Sequence, residues 1–332
     1  MMEELLSALI RLALQKRCTD IHFILQNGTL KIQMRTTEGM QPVNQDLWQA
    51  GLFEYIKFRA NLDLTNPFVP QSGQFEWKQD DRILFCRFSV ISNHKMETGV
   101  LRLLHTDIRM KIEELTDQEG MADYFYSLCR MRQGLLIFSG PTNSGKTTTI
   151  HALLHEIALQ QRYKIVTLED PIEIEDDSYL QIQINEAMGL GYERGIEELL
   201  RHDPDILFIG ETRNAHTAKM VIRAALTGHL VFTTVHAKNA LETIERLMDF
   251  GLERFDLRNT LTAVVAQRIY RIDRQRKQCL YEVLEQDELK YAIQNREYTT
   301  KHITLDQVLS HAVEQGRIQD QQALYDIRDL RK

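Results

Sequence analysis

One stretch restricts this chain more than any other. Ser139-Gly140-Pro141-Thr142-Asn143-Ser144-Gly145-Lys146-Thr147-Thr148 directly follows the apolar run Leu135-Leu136-Ile137-Phe138. The apolar run suits a buried strand, and a helix is predicted from about Lys146. Strand, G-x-x-x-x-G-K-[ST] loop and helix, in that order, make a phosphate-binding loop. The glycines let the backbone curl so that successive N–H groups face an anion. The first turn of the helix adds partial positive charge. Lys146 can reach the outer phosphates, and Thr147 offers a hydroxyl to Mg²⁺. The expected cradle is therefore Gly140, Pro141, Thr142, Asn143, Ser144, Gly145, Lys146, Thr147 and Thr148, and its expected ligand is a nucleoside triphosphate.

The 332 residues are enough for two domains with separate cores. A net charge of −7 argues against a general nucleic-acid binder, whose affinity comes mostly from neutralising phosphates. Cys18, Cys86, Cys129 and Cys279 are scattered without a C-x-x-C pair, so neither a zinc ribbon nor a disulfide framework is expected. No run of about 18 apolar residues is present, so no membrane span is expected. The apolar opening Leu5–Leu14 comes after Glu3 and Glu4 and contains Arg11. It reads as an amphipathic helix packed on the first domain rather than a signal peptide.

Residues 1–104 read as an α+β domain, with strand-like runs at Asp20–Leu25, Leu30–Met34, Gly73–Lys78, Arg82–Ile91 and Gly99–Leu104. Turn signals at Asn27-Gly28, Asn66-Pro67 and Ser72-Gly73 separate them. Polar residues 105–112 read as a linker. From 113 onward, strands at Leu135–Phe138, Ile165–Leu168, Asp205–Ile209 and Leu230–Thr234 alternate with helices, which implies a parallel sheet. The region from Leu252 to the end is expected to be helical, and the arginine-rich stretch Arg268–Lys277 to be a solvated helix face, with a docking surface as the alternative.

In an open α/β sheet, ligands sit outside the carboxyl ends of the strands, so the residues just past each strand matter most. Glu169-Asp170-Pro171-Ile172-Glu173 come after the second strand of this half, Gly210-Glu211-Thr212-Arg213 after the third, and Val235 and His236 after the fourth. Gly210 occupies the place where an acid usually precedes the glutamate. Glu169 and Asp170 are thus the nearest candidates, with Thr147, for the Mg²⁺ sphere. Glu211 and Glu173 are both candidates to polarise the attacking water, and the residues alone do not choose between them. His229 and His236 flank a strand that would hold their Cα atoms roughly 20 Å apart. His236, at the carboxyl end, is the expected phosphate sensor; His229 is expected to serve turn structure or a subunit contact.

At this point the motifs resemble those of the secretion-ATPase family of type II secretion, type IV pili and competence systems. Gly140–Thr148 resembles its Walker A box, and Val166–Glu173 its aspartate box. Leu200-Arg201-His202-Asp203-Pro204-Asp205 through Gly210-Glu211-Thr212-Arg213 resembles its glycine-containing Walker B segment, and Thr227–His236 its histidine box. Thr19-Asp20-Ile21-His22 resembles the family's Ser-Asp-Ile-His start. The resemblance implies a RecA-like P-loop core with a smaller PAS-like α+β first domain. It also implies that Arg87 and Arg102 contact phosphate, that Arg213 belongs to the site, and that Lys146, Glu173, Glu211 and His236 carry catalysis. Three positions depart from the pattern: Asn143 replaces a common glycine, Asn214 an aspartate, and Glu197 an arginine. The short length, the lack of a tetracysteine zinc element and of an additional N-terminal domain, and Ala266-Gln267-Arg268-Ile269 look most like the competence-pilus members.

The expectation is an ATP- and Mg²⁺-dependent motor, without zinc. It would work as a homo-hexameric ring, peripheral at the inner face of the cell membrane, acting on an integral membrane platform protein to assemble a competence pilus for DNA uptake. Direct nucleic-acid binding is not expected. A pilus retraction motor or a type II secretion ATPase is the first alternative, and a DNA translocase or helicase a weaker one.

Overall fold

A computed structural model describes residues 2–331, apart from 17, 19, 37–38, 45–47, 67, 80–81, 105–109, 273–275 and 319–320. Most of the expected linker, Thr19, Pro67 and part of the arginine-rich stretch therefore lie outside the described residues. The chain divides into two compact units, Met1–Asp107 and Ile108–Lys332.

In the first unit, α1 (Met2–Gln15) precedes β1 (Asp20–Gln26), β2 (Thr29–Thr36) and β3 (Gly39–Pro42). Then come α2 (Ala50–Arg59), β4 (Gln71–Gln79), β5 (Arg82–Ser92) and β6 (Met96–Leu104). The six strands form one antiparallel sheet in the order β3-β2-β1-β6-β5-β4. Leu6, Leu9, Ile10 and Ala13 recur at helical spacing along α1 and are all buried in this unit's core. At its centre Phe23, Phe53 and Phe88 meet edge to face, with centroids 5.5–6.2 Å apart. Gly99, opposite Phe23 in the β1–β6 register, makes room for them: a Cβ there would lie 2.5 Å from Phe88 Cζ.

The second unit starts with α3 (Ile112–Leu115), α4 (Met121–Leu128), β7 (Gly134–Ser139), α5 (Lys146–Leu159) and β8 (Ile165–Glu169). It continues with β9 (Leu180–Gln183), α6 (Tyr192–Arg201), β10 (Ile206–Ile209), α7 (Ala215–Leu226) and β11 (Leu230–Val235). The remainder is α8 (Ala240–Asp249), α9 (Arg254–Thr260), β12 (Leu261–Arg271), β13 (Lys277–Glu285), α10 (Gln286–Asn295), α11 (Leu305–Glu314) and α12 (Gln321–Leu330). Its sheet runs β13-β12-β7-β11-β10-β8-β9, parallel except for the antiparallel β12–β13 pair.

Alternation along the parallel strands feeds two separate cores. Leu135, Ile137, Leu207, Ile209 and Val231 pack on one side with residues of α6 and α7; Leu136, Phe138, Phe208 and Phe232 pack on the other with residues of α4 and α5. Helices on both faces leave no wet side, which is why these strands read as continuous apolar runs.

The helical expectation beyond Leu252 is corrected here. β12 and β13 are strands that extend the sheet past β7. Leu261–Ala266 is apolar except for Thr262, a short run in which a buried strand and a buried helix look alike. Only the neighbouring strand β7, whose free edge β12 occupies, makes it a strand. The arginine-rich stretch is accordingly no solvated helix face: Arg268 is buried within β12.

Candidate nucleotide site

The strands β8, β10, β11 and β7 are consecutive neighbours, all pointing the same way. Their carboxyl ends deliver Glu169 and Asp170, Glu211, His236, and the loop 140–145 to one edge of the sheet.

The loop's backbone depends on its small residues. Gly140 has φ +152°, and an added Cβ would sit 2.5 Å from Ser144 Oγ and 2.6 Å from the Gln267 carbonyl oxygen. Gly145 has φ +87° and starts α5. Asn143 adopts φ +63°, in the left-handed region that asparagine tolerates, so the missing glycine costs little there. Lys146 is 8% exposed, and its Nζ donates to the carbonyls of Gly140 and Pro141, each at 2.9 Å. Burial, reinforced by the Arg268 charge and opposed by Glu173, brings its pKa down to about 8.

Two residues that the sequence did not single out for the site support it from β12, one at the loop and one behind it. Gln267, fully buried on β12, donates from Nε2 to the Ser144 carbonyl at 2.7 Å. Arg268 donates to the Gln267 carbonyl at 3.0 Å and to the Lys238 carbonyl, two residues past His236, at 2.7 Å. Recognising the apolar run as a strand would have placed both beside the loop; no local pattern does.

His236 lies just past β11, and its Nε2 is 3.4 Å from Glu211 Oε2. Burial first, then the charges of Lys146, Arg246 and Arg213, holds the imidazole below its ordinary value, against a backbone hydrogen bond to Gly140. The lowered value favours the uncharged ring, which stands beside the Glu211 carboxylate. Arg213 pairs with Glu211 and lies 3.7 Å from Asp170. Gly210 has a steric reason. Its N–H donates to the Leu168 carbonyl at 2.8 Å, and a Cβ would lie 3.1 Å from Tyr192 Oη and 3.2 Å from the Leu168 carbonyl oxygen. An aspartate there would crowd the β8 strand end.

The acids named from sequence separate. Asp170 and Glu173 are exposed. Glu169 is 2% exposed and engaged inside the protein: Oε1 accepts from Thr167 Oγ1 at 2.7 Å and Gln181 Nε2 at 3.1 Å, and Oε2 from His151 Nε2 at 3.1 Å. It is not presented as a direct ligand for a cation. Thr147 lies half-buried in the first turn of α5, and Ser144 Oγ is buried without a hydrogen-bond partner. Among the described residues no group of three His, Cys, Asp or Glu side chains forms a metal cluster. This donor set fits Mg²⁺ held by a hydroxyl, water and phosphate oxygens rather than by an all-protein cage.

The remaining positions have local tasks. His229, at the opposite end of β11, bonds through Nδ1 to the Ala224 carbonyl at 2.9 Å and Thr227 Oγ1 at 3.0 Å, as turn structure requires. Asn214 caps α7 by accepting from the Thr217 N–H at 2.9 Å, the task an aspartate would perform. Glu197 is exposed on α6. In the first unit Arg87 and Arg102 face each other across β5 and β6, and Arg102 pairs with Asp20 at 2.8 Å. No helix among the described residues is long and apolar enough to cross a membrane.

The family model described as "Type II/IV secretion system protein" matches residues 1–326. Competence protein ComGA of Bacillus subtilis (strain 168) is 33% identical over 270 residues, covering 80% of this chain and 76% of that protein. Type II secretion system protein E of Pectobacterium carotovorum is 34% identical over 270 residues, covering 80% of this chain and 54% of that protein. The chain thus spans about three quarters of one relative and just over half of the other. Among solved structures, the Legionella pneumophila ATPase DotB superposes with a TM-score of 0.79 at 20% identity, covering 98% of this chain and 95% of that one. The fold is the α/β P-loop ATPase fold.

Proposed function

The chain belongs to the type II/IV secretion system protein family, and from that membership and the site's geometry we propose that it hydrolyses ATP to drive a pilus or secretion machine. The observation that carries this reading is the meeting of four neighbouring strand ends, which bring the phosphate loop, His236, Glu211 and Asp170 to one edge. The backbone N–H groups of residues 140–148 and the Lys146 ammonium bind and orient the triphosphate. Thr147, with Asp170 acting through water, would hold Mg²⁺, which when bound neutralises charge on the outer phosphates. Glu211 and Glu173 are the two groups able to orient the attacking water. His236 stands 3.4 Å from Glu211 and meets the Gly140 backbone, so it lies between that acid and the phosphate loop. Catalysis rests on positioning and charge stabilisation, with no covalent intermediate. Arg213, Arg87 and Arg102 are proposed phosphate contacts.

The similarity to a competence protein supports the finer reading of a motor that assembles a competence pilus for DNA uptake. It would work as a hexameric ring at the inner face of the cell membrane, on an integral membrane platform protein. Phosphate release by the purified chain with ATP and Mg²⁺, measured together with light scattering, tests the core of this reading. A chain that neither retains nucleotide nor releases phosphate in any assembled form would overturn it. Deleting the gene tests direction and cargo: lost fibres and lost transformation are expected, excess fibres would identify a retraction motor, and a secretion defect alone would identify a secretion ATPase.

A further inference from the structure

The phosphate-loop helix carries two histidines one turn apart, and each is bonded to an acid at or beyond the end of β8. His151 Nε2 lies 3.1 Å from Glu169 Oε2, and its Nδ1 lies 2.7 Å from Tyr179 Oη. His155 Nδ1 lies 2.6 Å from Asp176 Oδ2. Glu169 and Asp176 are 2% and 4% exposed, and they bracket exposed Glu173 in the chain. Gln181 closes the arrangement: it donates to Glu169 Oε1 at 3.1 Å and to the Ile174 carbonyl at 2.9 Å, and accepts from the Asp176 N–H at 2.8 Å.

Glu169 Oε1 already accepts from Thr167 and Gln181, and its Oε2 faces His151 Nε2, while the Tyr179 hydroxyl meets Nδ1 on the other side of the ring. The ring is held flat between neighbours, stacked on Tyr179 and edge-on to Phe208. Burial alone would raise the Asp176 carboxyl, but hydrogen bonds from Ser178 and His155 outweigh it and keep the group below its usual value. Asp176 is thus an ionised acceptor for the His155 N–H. Buried networks of this kind are rigid only when every member is satisfied, and these two acids are.

We propose that His151 and His155 are positioning residues, a two-point clasp by which the phosphate-loop helix holds the segment carrying Glu173 in its working place. A shift of α5 on nucleotide binding is then passed directly to Glu173 rather than through the sheet. This deepens the ATPase reading above and rests on it.

The test replaces both rings with apolar ones of similar size, His151→Phe with His155→Phe, and compares this with His151→Gln and His155→Asn. Glutamine keeps a donor where Nε2 was, and asparagine keeps one where Nδ1 was. In the phenylalanine pair, kcat is expected to fall about tenfold or more while the nucleotide Kd changes less than about threefold; the amide pair should restore most of kcat. Amide hydrogen exchange over residues 170–179 should rise in the phenylalanine pair and return in the amide pair. That readout needs no turnover, so it judges the clasp even if the wild-type chain proves inactive, which would overturn only the ATPase reading. Unchanged exchange and kcat in a folded phenylalanine pair would sink the clasp. An amide pair that behaves like the phenylalanine pair would also sink it, because ring packing would then be the whole contribution.

Discussion

The two sheets of this chain handle burial in opposite ways. In the first unit β2 and β4 alternate buried and exposed residues, so one face of the antiparallel sheet is packed and the other is wet. In the second unit every residue of β8, β10 and β11 is buried, because helices cover both faces. A sheet covered on both faces has only its edges and strand ends to offer a ligand. Polar chemistry therefore concentrates where β7, β11, β10 and β8 stop, and the side chains inside serve packing. The first sheet is free to place polar groups anywhere along its wet face, as Arg102 on β6 does.

Substitutions can break or sharpen this contrast. The largest effect is expected at the parallel sheet's edge, where Lys146→Ala should lower phosphate release by about a thousandfold or more; near-normal release would remove the loop from catalysis. Glu211→Gln should cost about 10²–10³ in turnover while ATP is still retained, measured by phosphate release beside filter binding. If its rate stays at the wild-type level, Glu173 is left as the water-orienting acid.

Glycines provide a comparison of stability. Gly99→Ala should destabilise the antiparallel unit by about 1–3 kcal/mol, since the added methyl meets Phe88 and Phe53. Gly210→Asp should lower the melting temperature of the parallel unit and leave turnover no higher, although it restores the more usual acid. A more active Gly210→Asp protein would contradict the crowding at the β8 end. Calorimetry with and without nucleotide assigns each change to its unit.

The smallest effect is in pH. The Lys146 pKa is depressed to about 8 by burial, and phosphate favours the charged amine. Nucleotide binding must then take up a proton once the free protein has lost it. Affinity should be flat below about pH 8 and weaken above it, by up to tenfold per pH unit. A flat profile to pH 9.5 would mean that Lys146 stays charged in the free protein.

The phosphate loop was legible because its determinants are adjacent in the chain: an apolar strand, two glycines at positive φ, and a helix start. The order of the strand ends was legible for the same reason, since each functional group comes directly after an apolar run. Glu169 was not, because an acid after a strand looks the same whether it faces a cation or a buried histidine. Its burial depends on His151, 18 residues away, and on Gln181, 12 residues away.

By itself the sequence settled the local backbone of the nucleotide cradle and the list of groups delivered to its edge, because short-range sterics and strand polarity dictate both. The tertiary structure alone decided that Leu261–Arg271 is a strand, that Gln267 braces the loop with Arg268 bonded to the Gln267 carbonyl, and that two histidines of α5 grip the acids around Glu173. Those outcomes depend on which sheet edge is open and which surface lies opposite, and apolar periodicity carries no record of either.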